Sequence, residues 1–134
     1  MKRMNIDHLI PLKRGDIVRV DLGGAIGCEK QNDTIAKSRP CIVVQNDGGN
    51  GGSPLTIVAP LTGAEHQGKR YKQQVLVTAK EVAVIGKTAK DSIVDCGQLR
   101  TIDREMRIMH NYGPIDPTVL PKIDEAIKAS LGLA

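Results

Sequence analysis

The chain has no phenylalanine, no tryptophan and only two tyrosines, Tyr71 and Tyr112, in 134 residues. Its core must therefore come from Val, Ile, Leu and Met, and aromatic platforms on which bases could stack are scarce. Cysteine is sparse too. Cys28, Cys41 and Cys96 are odd in number and contain no Cys-x-x-Cys pair, which argues against a disulfide framework or a zinc site and for a reducing compartment. No apolar run approaches the ~20 residues of a membrane helix. Met1-Lys2-Arg3 leads into Asn5, Asp7 and His8 rather than into the apolar stretch of a signal peptide. A soluble, cytoplasmic protein with no membrane partner is expected.

Acidic residues are outnumbered, 15 against 19 basic ones, and the formal charge of +4 favours an anionic partner without specifying it. The length suits one domain spanning 1–134, with 1–13 as a basic, flexible lead-in that lacks periodicity. Within it, the stretch Ser38-Arg39-Pro40-Cys41-Ile42-Val43-Val44-Gln45-Asn46-Asp47 stands out. Four apolar residues between a proline and an Asn/Asp/Gly cluster predict a short, buried central strand. Pro40 disfavours the helical region at Arg39, so the arginine should be extended and aimed from the mouth of that strand. Read alone, Arg39 is either an anion-binding group or a solvated loop-end arginine.

Further strands are predicted at 17–22, 55–61 and 74–77, and at 91–99 with a bulge at Gly97; 82–85 is a short apolar stretch. The second and third strands should form a hairpin, with the glycine cluster 48–52 as its connection. Residues 23–38 form a long polar loop, the kind that often serves as a lid. Ile102, Met106 and Met109 are spaced as on a short helix, followed by a turn at 111–114. Ile123, Ala126, Ile127, Ser130 and Leu131 share one helical face, with Asp116 as a possible N-cap, Pro121 in the first turn and Gly132 as the stop. Strands first and a helix last indicate an α+β fold, most simply a small barrel with a C-terminal helix packed on it.

Several ordered blocks carry a family resemblance. Arg14-Gly15-Asp16-Ile17-Val18, the Ser38–Asp47 stretch, Ser53-Pro54-Leu55 through Leu61-Thr62-Gly63, Asp91-Ser92-Ile93 through Gln98-Leu99-Arg100-Thr101-Ile102-Asp103, and Ile123-Asp124-Glu125-Ala126-Ile127 resemble the MazF/PemK toxins of bacterial toxin–antitoxin modules. The resemblance implies an SH3-like barrel of the CcdB/MazF kind, a homodimer, and an endoribonuclease that cleaves single-stranded mRNA without metal or other cofactor. It also implies a cognate antitoxin, with DNA engaged only through the toxin–antitoxin complex. The family's catalytic arginine and threonine fall on Arg39 and Thr62, and its RNA contacts on Gly27, Asn46, Ser92 and Gln98. Lys37 and Ser53 complete the candidate RNA-binding set together with Lys69 and Arg70. The segment between Gly27 and Arg39 is longer than the family's usual loop, Cys28-Glu29-Lys30 replaces Ser-Glu-Gln, and Gly97 stands where many members are acidic.

The chemistry fits these residues. A planar, permanently charged guanidinium can grip two phosphate oxygens of a pentacovalent transition state, and a threonine hydroxyl can add a neutral hydrogen bond. Arginine is a poor general base, so the proton acceptor stays unassigned. His66 is either that acceptor or an exposed loop histidine, and Cys28 either a nucleophile or a small loop residue. Lys69-Arg70-Tyr71-Lys72 either tracks the RNA backbone, with Tyr71 stacking a base, or is a solvated loop. A non-enzymatic relative, a CcdB-like toxin binding DNA gyrase, is the alternative reading. The Arg39 and Thr62 pair favours the nuclease.

Overall fold

The computed structural model describes residues 7–66, 68 and 70–133, with only the backbone of His66. Among these residues seven strands form: β1 Asp16–Val20, β2 Arg39–Val43, β3 Leu55–Gly63, β4 Gln74–Val77, β5 Ser92–Asp95, β6 Arg100–Asp103 and β7 Ile108–Pro114. Two short α-helices lie between strands, α1 Asp47–Gly52 and α2 Arg104–Arg107, and a third, α3 Leu120–Leu131, follows β7. Every strand pairing is antiparallel. Neighbours run β4-β5-β3-β2-β1-β7, with β6 beside β3.

The long strand β3 organises this arrangement because it serves two sheets. One edge pairs Val58–Pro60 with β2; the other is divided, Leu55–Val58 bonding to β6 and Leu61–Gly63 to β5. Strands β6-β3-β2-β1-β7 make the barrel-like sheet, in which α2 is the single turn linking the outermost strands. Strands β3-β5-β4 make the second, smaller sheet. The expected α+β barrel with a terminal helix is therefore present.

Strand alternation sorts side chains into two cores. Ile42, Ala59 and Leu61 face one side with Val75, Val94, Ile115, Ile123 and Ala126, whereas Cys41, Val43 and Val58 face the other with Val18, Val20, Ile102 and Ile108. Each fully buried Val or Ile contributes about 1.5–3 kcal/mol relative to exposure, so an aliphatic core suffices without Phe or Trp. Helix α3 covers the first core and ends at Gly132, whose φ of 70° is the left-handed conformation that glycine tolerates best. Asp116 caps the 3-10 turn Pro117–Val119 leading into α3, its carboxylate accepting from Thr118 N at 2.9 Å. Among the described residues no helix is long and apolar enough to cross a membrane.

Four sequence expectations are corrected. The glycine cluster forms helix α1 rather than a loop, although glycine is a poor helix former. Tertiary hydrogen bonds outweigh propensity here: Asn46 caps Gly49 N at 2.7 Å, Asp47 accepts from Arg14 N at 2.6 Å, and the buried Asn50 bonds Gln45 O and Thr56 Oγ1. The helix expected at 102–109 is only the one-turn α2 between two strands. Met106 and Met109, whose spacing suggested it, are 78% and 58% exposed, and Ile108 pairs with Val20 instead. The turn expected at 111–114 is the end of β7. The presumed bulge at Gly97 is a 3-10 turn, Cys96–Gln98, capped by Asp95, which carries the chain from one half of β3's edge to the other.

In the stretch read as a lead-in, residues 1–6 lie outside the described residues. Leu12 is buried in the second core, and the carbonyls of Ile10 and Pro11 accept from Arg104 and Asn111.

Candidate active site

The β2–β3 register, Cys41 opposite Pro60 and Ile42 opposite Ala59, continued by two steps, sets Arg39 against Thr62. Both line a cavity of about 560 Å³ with Arg19, Asp33, Pro40, Lys90 and Ser92. Arg39 is half-buried. Its Nε donates to Gln31 O at 2.7 Å and its Nη1 to Leu61 O at 2.9 Å, which fixes the plane of the guanidinium. Nη2 has no partner among the described residues, nor does the Thr62 hydroxyl. Arg39 is thus extended at the strand mouth, as Pro40 requires, held by two carbonyls and left with open donors. Ser92 is buried and donates its hydroxyl to Lys90 O at 2.8 Å. Lys90 in turn pairs with Glu65 at 2.9 Å.

The first loop packs against this end of the molecule. Asn32 accepts from Leu22 N at 2.6 Å and donates to Asp21, while Arg100 and Arg107 donate to the carbonyls of residues 21–23. Asp33 closes the tight turn ending at Lys37, whose φ is 55°. The amides of Ile35 and Ala36 hold the Asp33 carboxyl below its ordinary value of 3.8, and the charges of Arg39 and Arg19 lower it further. Gln98 lies beside the loop in a second cavity of about 500 Å³, lined by Cys28, Lys30 and Arg100. Its amide engages the loop at both ends, accepting from Lys30 N at 2.5 Å and donating to Cys28 O at 3.2 Å.

Among the candidates chosen from sequence, Arg39, Thr62 and Ser92 are brought together in one cavity. Lys37 belongs to a neighbouring hollow in the loop with Asp21 and Asn32. Gly27, φ 60°, is exposed in the same loop. Asn46 and Ser53 lie at the opposite end of the β2–β3 hairpin, roughly 20 Å from Arg39 by strand rise, where Asn46 caps Gly49 N and Ser53 Oγ accepts from Leu55 N at 3.0 Å. Arg70 lines a separate groove with Tyr71, Lys72 and the α3 residue Lys122. Lys69 and the His66 side chain lie outside the described residues. Cys28 is exposed and lines the Gln98 cavity, not that of Arg39.

Sequence reasoning passed over Arg19, Asp33 and Lys90. Arg19 had a legible signal, a charge on the same strand face as the buried Ile17. Asp33 and Lys90 had none, because only the tertiary fold brings them to Arg39.

The sequence matches the PemK-like, MazF-like toxin of type II toxin-antitoxin system over residues 13–131. The chain belongs to this toxin family. It is 35% identical over 122 residues to Endoribonuclease EndoA of Bacillus subtilis (strain 168), covering 91% of this chain and 96% of that protein. Its fold superposes on MazF from Deinococcus radiodurans with a TM-score of 0.69 at 17% identity, covering 92% of this chain and 99% of the other. An endoribonuclease in complex with its cognate antitoxin from Mycobacterial species gives a TM-score of 0.67 at 19% identity, covering 92% and 97% of the two chains. The family match over residues 13–131 takes in both sheets and α3.

Proposed function

We propose that this toxin is an endoribonuclease that cleaves single-stranded RNA at the Arg39 and Thr62 site, without a metal ion, to a 2′,3′-cyclic phosphate and a 5′-hydroxyl. The observation that carries this reading is the juxtaposition of the fixed Arg39 guanidinium, with Nη2 open, and an uncommitted Thr62 hydroxyl in one cavity. The RNA 2′-oxygen attacks the adjacent phosphorus, its proton passes to an acceptor, and the bond to the 5′-oxygen breaks as that oxygen gains a proton. Arg39 stabilises the charge that builds on the phosphoryl oxygens, and Thr62 donates a hydrogen bond to the same group. Preorganisation supports this role, because two backbone carbonyls already hold the guanidinium plane before substrate arrives. Gln98 and the first-loop backbone, which line the second cavity, read bases once their mutual hydrogen bonds open.

The toxin acts as a homodimer restrained by a cognate antitoxin. A second subunit doubles the cations along one RNA path, which suits a chain whose net charge is only +4. Incubating the pure protein with a long RNA and chelator, then analysing the fragment ends, tests the chemistry. Cyclic phosphate and 5′-hydroxyl ends are expected; intact RNA, or 5′-phosphate ends, would overturn it. Light scattering should give the mass of a dimer at micromolar concentration.

A further inference from the structure

Arg19 is the residue whose setting the reaction above leaves unexplained. It sits on β1, opposite Pro40 on one side and His110 on the other. Its strand face is that of the buried Ile17, where an apolar residue would be the ordinary choice. A guanidinium there must be hydrogen-bonded or offset by what it binds.

Its partners fix it in a particular pose. Nε donates to the Tyr112 hydroxyl at 2.6 Å, and Nη1 donates to the hydroxyl and carbonyl of Ser38 at 2.9 and 3.4 Å. The group also lies 5.8 Å from the Tyr112 ring centroid, and His110 packs edge-on against that ring at 4.7 Å. Ser38 is fully buried and directly precedes Arg39. Arg19 Nη2 has no partner among the described residues. Arg19 therefore repeats the arrangement of Arg39: Nε and Nη1 anchored to neutral oxygens, Nη2 open, in the same cavity. Among the described residues neither arginine forms an ion pair within 4.0 Å and Asp33 is the only carboxylate lining the cavity; Lys90, the third cation of the lining, is paired with Glu65.

The buried Arg104 spends both of its Nη groups on three backbone carbonyls, whereas Arg19 and Arg39 each leave Nη2 without a partner among the described residues while lining one cavity. Two oriented cations that keep open donors toward one cavity fit a ligand carrying two adjacent anionic groups on one chain. A single-stranded nucleic acid backbone has that pattern.

We propose that Arg19 binds the RNA phosphate neighbouring the one cleaved at Arg39, with Tyr112 and Ser38 as positioning residues that aim its guanidinium. This rests on the RNA-cleavage reading above and adds a second phosphate subsite to it. Arg19 takes no part in bond breaking; it sets which phosphodiester lies under Arg39, so its loss falls on substrate binding and KM rather than on the chemical step.

The test uses two oligoribonucleotides spanning a mapped cleavage site, one cleavable and one with a 2′-deoxy residue at the scissile position for binding alone. Arg19→Gln should raise KM and weaken binding about tenfold with little change in kcat, and lower the slope of log affinity against log salt by about 0.7 for the lost single-strand phosphate contact. In the wild type, replacing each flanking phosphate in turn by a neutral methylphosphonate should reveal one neighbour whose neutralisation weakens binding comparably. Arg19→Gln should lose nothing further at that position. Tyr112→Phe, which keeps the charge and removes the anchor, should give a smaller loss and retain the salt slope.

An unchanged methylphosphonate penalty and salt slope in Arg19→Gln would make Arg19 only a strut between β1 and Ser38. A wild type with no sensitive flanking phosphate would overturn the proposal even if the variant failed to fold. Failure of the parent reading looks different: the cleavable RNA stays intact, while binding of the deoxy-substituted strand still scores Arg19.

Discussion

The two ends of the β2–β3 hairpin each hold an arginine in a bed of backbone carbonyls, and they use it oppositely. At the far end Arg104 is only 5% exposed, and its guanidinium donates to the carbonyls of Asn50 at 2.5 Å, Ser53 at 3.0 Å and Ile10 at 2.7 Å. Burial pulls its pKa below the usual arginine value, and its Nε finds no acceptor, so the charge is tolerated for the three segments it ties together. At the near end Arg39 is half-exposed, spends two nitrogens on Gln31 and Leu61, and keeps the third open. Fixing a cation is thus common to both ends. What separates the arginine proposed to act on RNA from the structural one is where the spare donor sits: the spare Nε of Arg104 is buried, whereas Arg39 lines an open cavity.

The largest expected effect breaks the near end. Arg39→Ala should lower turnover by 10²-fold or more, the scale for removing one preorganised transition-state donor, with thermal unfolding little changed. Arg39→Lys should recover little, because a point charge cannot bond Gln31 O, Leu61 O and a phosphate from one rigid plane. A cleavage assay with a parallel melting curve checks both. Near-full activity in a folded Arg39→Ala would make the near end as structural as the far one.

The reverse result is expected at Arg104. Arg104→Ala strands the Asn50 carbonyl in the interior and frees those of Ser53 and Ile10 nearer the surface, and should cost about 2–4 kcal/mol of stability, tempered by removal of a buried charge. Activity per folded molecule should hold at temperatures well below the transition. Urea titration and cleavage by the same samples separate the two quantities. A variant that stays stable but loses cleavage would mean that the far end reaches the RNA.

How much of this contrast the sequence carries depends on how local its causes are. Arg39 is legible because Pro40 and the apolar run after it dictate an extended residue at a strand mouth. Thr62 is legible only through the family resemblance, and the last helix through its spacing and Gly132. The far end is not legible in that way. Six residues reading DGGNGG become α1 only because Arg14, Gln45 and Thr56, all outside it, bond its polar side chains. Arg104 likewise looks like one more surface cation until β6 and β7 pair on either side of its turn. Arg19 falls between these cases: its alternation was visible, its meaning was not.

Thiol chemistry sharpens the contrast at smaller cost to the protein. Burial pushes the Cys41 and Cys96 thiols up to about 12, so neither should ionise or react in the native state, while Cys28 is exposed on the first loop. A thiol reagent should modify one group per chain before unfolding and three after it. Because the Cys28 carbonyl accepts from Gln98, Gln98→Ala should loosen the loop and speed that single reaction. Fast labelling of a second thiol would show that the core beneath Arg39 opens readily.

The smallest expected effect compares two aspartates, one at each end. Asp33 accepts from the amides of Ile35 and Ala36, and Asp47 from the amide of Arg14; these bonds are the main reason both carboxyls titrate below 3.8. A carboxyl with a lowered folded pKa adds stability that is complete above its unfolded pKa and disappears as pH falls through the folded value. Acidification should therefore do nothing above about pH 5, begin to cost stability near the unfolded value of about 3.9, and release each contact only as pH falls through its lowered folded value. The consequences should differ in place. At the near end only the turn 33–37 loosens, since Arg39 and Arg19 keep their carbonyl and hydroxyl partners when Asp33 is neutral. At the far end Arg14 N loses its acceptor, yet Asn46 still caps α1 and Arg104 still holds it, so protection of α1 should persist. Amide hydrogen exchange between pH 5 and pH 3, corrected for intrinsic rates, should show Ile35 and Ala36 losing protection first while Asn50 and Ser53 keep theirs. Equal loss at both sets of amides would mean that α1 depends on its acidic N-terminal residue rather than on the buried arginine.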